Sequence, residues 1–130
     1  MVINGLMKMT LLDFPGRVAC TVFTAGCNMR CPFCHNAALV TEIDPAERIE
    51  VDEILGFLRK RVGLLDGVAI TGGEPLLQPD IADFIREVRA LGFAVKLIAI
   101  SLTLLACASW MGSSLLLYTQ DIFTHFALLW

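Results

Sequence analysis

Residues 17–36 read RVACTVFTAGCNMRCPFCHN and residues 67–75 read GVAITGGEP, and these two stretches decide the fold. Each begins as a short run of apolar and β-branched residues and ends in a loop rich in glycine or cysteine. That is the pattern of a buried strand delivering a loop at its C-terminal end. Between them, Val51 to Val62 places apolar residues at 51, 54, 55, 58 and 62, which is helical spacing, with Asp52, Glu53, Arg59 and Lys60 on the charged face. After the second stretch, Pro79 suits the first turn of another helix, and Gly92 suits its stop. Ile81, Phe84, Ile85, Val88 and Leu91 form the apolar stripe between them. Phe93 to Leu97 begins a third strand. The order is strand, cysteine loop, helix, strand, glycine loop, helix, strand, which predicts an α/β fold of parallel βαβ units. Both loops then follow the C-terminal ends of neighbouring strands, where α/β sheets and barrels bind ligands. Ahead of these units, Met1 to Thr10 reads as a mixed segment, and Asp13-Phe14-Pro15-Gly16 as turn chemistry.

Cys27, Cys31 and Cys34 form a C-x3-C-x2-C loop. Three closely spaced thiolates can hold three irons of a cubane cluster and leave the fourth iron open to chemistry, whereas four would close it. Structural zinc is the competing assignment, but zinc wants four ligands, commonly in two spaced pairs. His35 is adjacent to Cys34, an awkward geometry for chelating one metal, and no second cysteine pair follows. Cys20, in mid-strand, and Cys107, in an apolar tail, read as small buried residues. In Gly72-Gly73-Glu74-Pro75, the glycines let backbone approach a ligand closely. Carbonyls at the strand end can accept hydrogen bonds from a ligand ammonium, and Glu74 either contacts that ligand or fixes the loop.

The 130 residues suffice for one modest domain, and a net charge of -3 gives no footprint for nucleic acid. Five cysteines, three in one loop, argue against a disulfide framework and for a reducing, cytoplasmic setting. All ten Lys and Arg residues and twelve of the thirteen acids lie within residues 1–97, while 98–130 carries Asp121 alone. A boundary is therefore expected there, with 1–97 as the cysteine domain and 98–130 as an apolar, helical tail. Residues 98–118 carry no charge and reach the ~18–20 residues that a bilayer span needs. Lys96, Arg89 and Arg86 precede that run, so an inserted span would hold the cysteine domain on the cytoplasmic side.

CNMRCPFC, with Gly26 before it, His35-Asn36 after it and TGGEP downstream, resembles the radical S-adenosylmethionine enzymes. The lead-in LLDFPGRVACTVFTAGCNMRCPFCHN is similar to the activating proteins of glycyl radical enzymes, above all those of anaerobic ribonucleoside-triphosphate reductase, and also to pyruvate formate-lyase activase. The resemblance covers about residues 1–97. It implies the N-terminal portion of a partial (βα) barrel, with Cys27, Cys31 and Cys34 holding a 4Fe-4S cluster. It also implies that S-adenosylmethionine chelates the open iron, that Phe33 contacts its adenine, and that Gly72, Gly73 and Glu74 receive its amino group. Pro75 completes that loop, and His35 is a loop residue within reach of the cofactor. The implied reaction is reductive cleavage to a 5′-deoxyadenosyl radical, which removes an Hα from a glycine of the partner reductase. A low-potential donor such as flavodoxin or ferredoxin would supply the electron.

The family's pattern continues after the third strand with a polar motif and further βα units, whereas here Lys96-Leu97 runs into Ile98-Ala99-Ile100-Ser101. The barrel is therefore expected to be shortened, as a reading-frame shift after codon 97 would make it. Two alternatives to an active activase follow: a cluster-binding fragment without turnover, or a cluster domain tethered to a membrane through 98–118.

Overall fold

Four strands build one sheet in the order β1 (Ile3–Thr10), β2 (Ala19–Thr24), β3 (Gly67–Gly72) and β4 (Ala94–Leu97). The computed structural model describes the backbone of residues 1–98 and 100–127, and the side chains of these except 100–106, 109 and 125–127. Strands β2, β3 and β4 run parallel, with Cys20 paired to Val68 and Val68 to Val95. The helices are α1 (Ala38–Thr41), α2 (Val51–Arg59), α3 (Ile81–Ala90) and α4 (Ile100–Ala127), with 3-10 turns at Pro45–Glu47 and Pro75–Leu77. Helix α2 connects β2 to β3 and α3 connects β3 to β4, so the expected βαβ units are present.

Alternation along the strands separates the two faces of the sheet. Cys20, Val22, Val68 and Ile70 point to the face that packs with Ile54, Leu55 and Leu58 of α2 and Phe84 and Val88 of α3. Ile3, Leu65 and Phe93 complete this core. Burial pushes the Cys20 thiol up to about 11, so it stays neutral and acts as a small apolar residue.

On the opposite face, Thr21, Ala69 and Lys96 form one cross-strand row. Asp13 sits across that row. Its carboxylate accepts from the hydroxyls of Thr21 and Thr10, and its carbonyl accepts from Lys96 Nζ at 2.9 Å. The Asp13–Gly16 turn is thereby fastened to both β2 and β4.

Several expectations need correction. Ile3–Thr10, to which the sequence pattern assigns no element, pairs antiparallel with β2 and makes the sheet mixed. Only Ile3 and Thr10 of that strand are buried, while Met7, Lys8 and Met9 are exposed, so no alternating pattern marks it. Helix α2 ends at Arg59 rather than Val62, ahead of Gly63 with φ +82°. Pro79 precedes the N-cap Asp80 instead of lying inside α3.

The chain divides into two compact units, Met1–Ala99 and Ile100–Trp130. The second contains the 28-residue helix α4. The membrane span expected over 98–118 is not found: among the described residues, no helix is long and apolar enough to cross a membrane. The described part of α4 interrupts its apolar residues with Gly112, Ser113, Ser114, Thr119, Gln120 and Asp121. Cys107, expected to be buried, is exposed. Ala99 and residues 128–130 of the expected tail lie outside the described residues.

Truncating Ile70 to alanine leaves a cavity against both helices and should cost about 2–5 kcal/mol, measured by urea unfolding. A thiol reagent at pH 8 should modify Cys107 and the loop cysteines in the native protein and reach Cys20 only after denaturation. Rapid labelling of Cys20 in the folded chain would contradict this core.

Candidate functional site

The parallel register of β2 and β3 ends with Thr24 opposite Gly72, so both loops leave the sheet at the same level. From there the backbones stay in contact. Gly73 N–H donates to the Thr24 carbonyl at 2.7 Å, and Glu74 N–H donates to the Gly26 carbonyl at 2.9 Å. Only glycine permits this approach. A Cβ on Gly73 would lie 2.1 Å from the Gly26 oxygen, and one on Gly72 would lie 2.4 Å from the Thr24 oxygen. Gly72 also adopts φ +112° and Gly26 adopts φ +90°, both in the region that L side chains avoid.

Glu74 is 1% exposed, and its Oε1 accepts from Leu76 N–H at 3.3 Å, capping the 3-10 turn that Pro75 opens. That contact caps the turn and is compatible with the loop-fixing alternative for Glu74. Pro75 is itself buried and locks the start of that turn.

The cysteine loop departs from Gly26, whose N–H donates to the Leu39 carbonyl at 2.9 Å and so anchors α1 behind the loop. Cys27, Cys31 and Cys34 are half-buried free thiols. The loop's internal hydrogen bonds are local: Met29 N–H to Cys27 Sγ at 3.4 Å and Cys34 N–H to the Cys31 carbonyl at 3.2 Å. Arg30 folds back, its Nη1 donating to the carbonyls of Cys27 and Met29. Among the described residues, no three His, Cys, Asp or Glu side chains are gathered closely enough to hold a metal ion. The donor set nevertheless suits an iron–sulfur cluster, since three cysteines free of disulfides lie on one loop whose root is clamped to a neighbouring glycine turn. Phe33 is 82% exposed and His35 is exposed, both on the same loop.

Two side chains hold the site together in roles that the sequence did not disclose. Asn36 Nδ2 donates to the Gly72 carbonyl at 3.2 Å, and Gln78 Nε2 donates to the Ala25 carbonyl at 2.7 Å. Both amides act on backbone: Asn36 stands in the cysteine motif without showing this role, and no residue-type pattern announces Gln78.

The profile of the radical SAM superfamily matches residues 21–109. The match runs past residue 97 and takes in both loops. A protein of Methanocaldococcus jannaschii named as a glycyl-radical enzyme activating enzyme is 32% identical over 97 residues, covering 73% of this chain and 38% of that protein. The pyruvate formate-lyase-activating enzyme of Staphylococcus epidermidis is 32% identical over 95 residues, covering 69% of this chain and 38% of that enzyme. The GTP 3',8-cyclase of Alkaliphilus oremlandii is 38% identical over 76 residues, covering 58% of this chain and 23% of that enzyme. The chain thus spans well under half the length of these curated relatives.

Replacing Gly73 with alanine should destabilise the protein by more than about 2 kcal/mol, because the new Cβ meets backbone that cannot swing away. Gly56→Ala, in helix α2 with open space around it, should instead stabilise by about 0.5–1 kcal/mol. Thermal unfolding of the two variants checks the pair.

Proposed function

The chain belongs to the radical SAM superfamily, whose cofactors are a 4Fe-4S cluster and S-adenosylmethionine, and from that premise we propose that it contributes the cluster and cofactor site of a glycyl radical enzyme activase. The observation that carries this reading is the clamp between the cysteine loop and the Gly72–Pro75 turn at the ends of adjacent parallel strands. Relatives named as activating enzymes, matched over 95–97 residues, support the activase branch.

In this reading Cys27, Cys31 and Cys34 hold the cluster, and thiolates are the form in which they do so. Gly72 and Gly73 supply backbone bare of side chains, against which the methionyl end of S-adenosylmethionine can lie. Glu74 keeps the turn in shape from its buried position and, with Gly72 and Gly73, would receive the methionyl amino group. Phe33 offers an exposed ring or its backbone to the adenine, and His35, exposed on the same loop, would be a further contact to the cofactor. The bound cofactors supply the hard chemistry, reductive cleavage of the sulfonium to a 5′-deoxyadenosyl radical. The residues here orient the cofactor and shield it, and no general acid or base is required. The target is a glycine of a partner glycyl radical enzyme, with anaerobic ribonucleoside-triphosphate reductase the favoured partner. A flavodoxin- or ferredoxin-type protein donates the electron, and the setting is the reducing cytoplasm.

Cys31→Ala should abolish iron retention after anaerobic reconstitution, because two thiols cannot hold the open-iron cluster. Cys20→Ala should keep its iron and sulfide, since that thiol lies in the core. The reconstituted, reduced wild type should convert S-adenosylmethionine to 5′-deoxyadenosine, detected by chromatography. A full cluster in Cys31→Ala would sink the ligand assignment.

A further inference from the structure

We propose that Gln78 is a positioning residue whose side-chain amide sets the cysteine loop in register with the Gly72–Pro75 turn. Three consecutive carbonyls at the root of the cysteine loop each accept a hydrogen bond from residues 73–78. Thr24 accepts from Gly73 N–H at 2.7 Å, Ala25 from Gln78 Nε2 at 2.7 Å, and Gly26 from Glu74 N–H at 2.9 Å. The middle bond is the one made by a side chain.

The other end of the same amide is also used. Gln78 Oε1 accepts from Val2 N–H at 2.8 Å, and the Val2 carbonyl in turn accepts from Ala25 N–H at 3.0 Å. The amide therefore acts as a substitute peptide group, adding a rung beyond the last β1–β2 pair, Ile3 with Thr24. Gln78 is 7% exposed, so a lost partner leaves a buried polar group unpaired. Glutamine has both the reach and the donor–acceptor pair that this position uses. Glutamate keeps the acceptor but turns an oxygen against the Ala25 carbonyl, and methionine keeps the length without either function.

Asn36 makes the reciprocal tie, from the cysteine loop to the Gly72 carbonyl. Each loop thus places one amide on the other's backbone, beyond the point where strand pairing ends at Thr24 and Gly72. Ala25 lies two residues before Cys27, so releasing its carbonyl loosens the base of the cysteine loop and the turn together. The consequence for cofactor binding rests on the proposed function, while the mechanical tie does not.

Hydrogen exchange on the cofactor-free chain tests the tie by itself. In Gln78→Met, the amides of Gly73 and Glu74 should exchange roughly tenfold faster, the size of one buried hydrogen bond, while Val68 and Ile70 of β3 keep their wild-type rates. Unchanged exchange at Gly73 and Glu74 in the folded variant overturns the proposal. If Gln78→Met does not fold, Gln78→Glu, which retains the acceptor for Val2, carries the same test. In the reconstituted protein, Gln78→Met should keep its iron and its reduced EPR amplitude. It should need roughly tenfold more S-adenosylmethionine to half-shift that signal. A wild-type half-shift concentration in the variant also overturns the proposal, as does loss of iron from a folded variant. A wild type whose cluster ignores S-adenosylmethionine speaks against the proposed cofactor site instead, and the exchange result then decides the tie alone.

Discussion

The backbone at Gly72 and Gly73 lies against the backbone at Thr24 to Gly26 so closely that no side chain fits between them, and the site depends on this contact. Parallel pairing of β2 with β3 brings the two strand ends to one level, but pairing alone would let the loops diverge. Two glycines without Cβ atoms and the peptide hydrogen bonds at 2.7 and 2.9 Å keep them together. The cost of glycine is a larger loss of backbone entropy on folding. Here that cost is tied to one place, where any larger residue would push the turn away from the cysteine loop.

The sheet supports this contact with differently built faces. On one side α2 and α3 bury Ile54, Leu58, Phe84 and Val88 against Val22, Val68 and Ile70, supplying the apolar burial that holds the strands in place. On the other side Asp13, Thr10, Thr21 and Lys96 form a polar bracket at the row where Ala69 leaves room. The Asp-x-Pro-Gly lead-in thus has a structural use in this chain, fastening the segment before β2 across the sheet. The site, by contrast, is assembled largely from backbone groups, and its side chains serve to cap or tie.

Much of this was legible in the sequence, for physical reasons that differ by element. Helices α2 and α3 show their apolar stripes because each buries one face. Strands β2 and β3 show as apolar runs because β2 is paired on both edges and β3 lies between two parallel neighbours. Strand β1 was hidden, since it is an edge strand with Met7, Lys8 and Met9 exposed and an interior Gly5. The cysteines and the glycine turn were visible as residue types at fixed spacing. Gln78 was not, because an amide that bonds to backbone leaves no pattern in its neighbours, and Asn36 was visible as part of the cysteine motif but not as a tie to Gly72. The tail misled in part: lack of charge resembles a membrane span, yet the described helix carries small and polar residues among its apolar ones.

Likeness to two activases and to a cyclase is what a shared superfamily core would produce, and the longer matches fall on the activase side. In the proposed function the clamped loops form one cofactor site. EPR of the anaerobically reconstituted and reduced chain, recorded with and without S-adenosylmethionine, tests it most directly. The expected result is a 4Fe-4S signal whose g-values change when S-adenosylmethionine is added, because Gly72 and Gly73 would hold that cofactor beside the cysteine loop. A cluster signal indifferent to S-adenosylmethionine would contradict it.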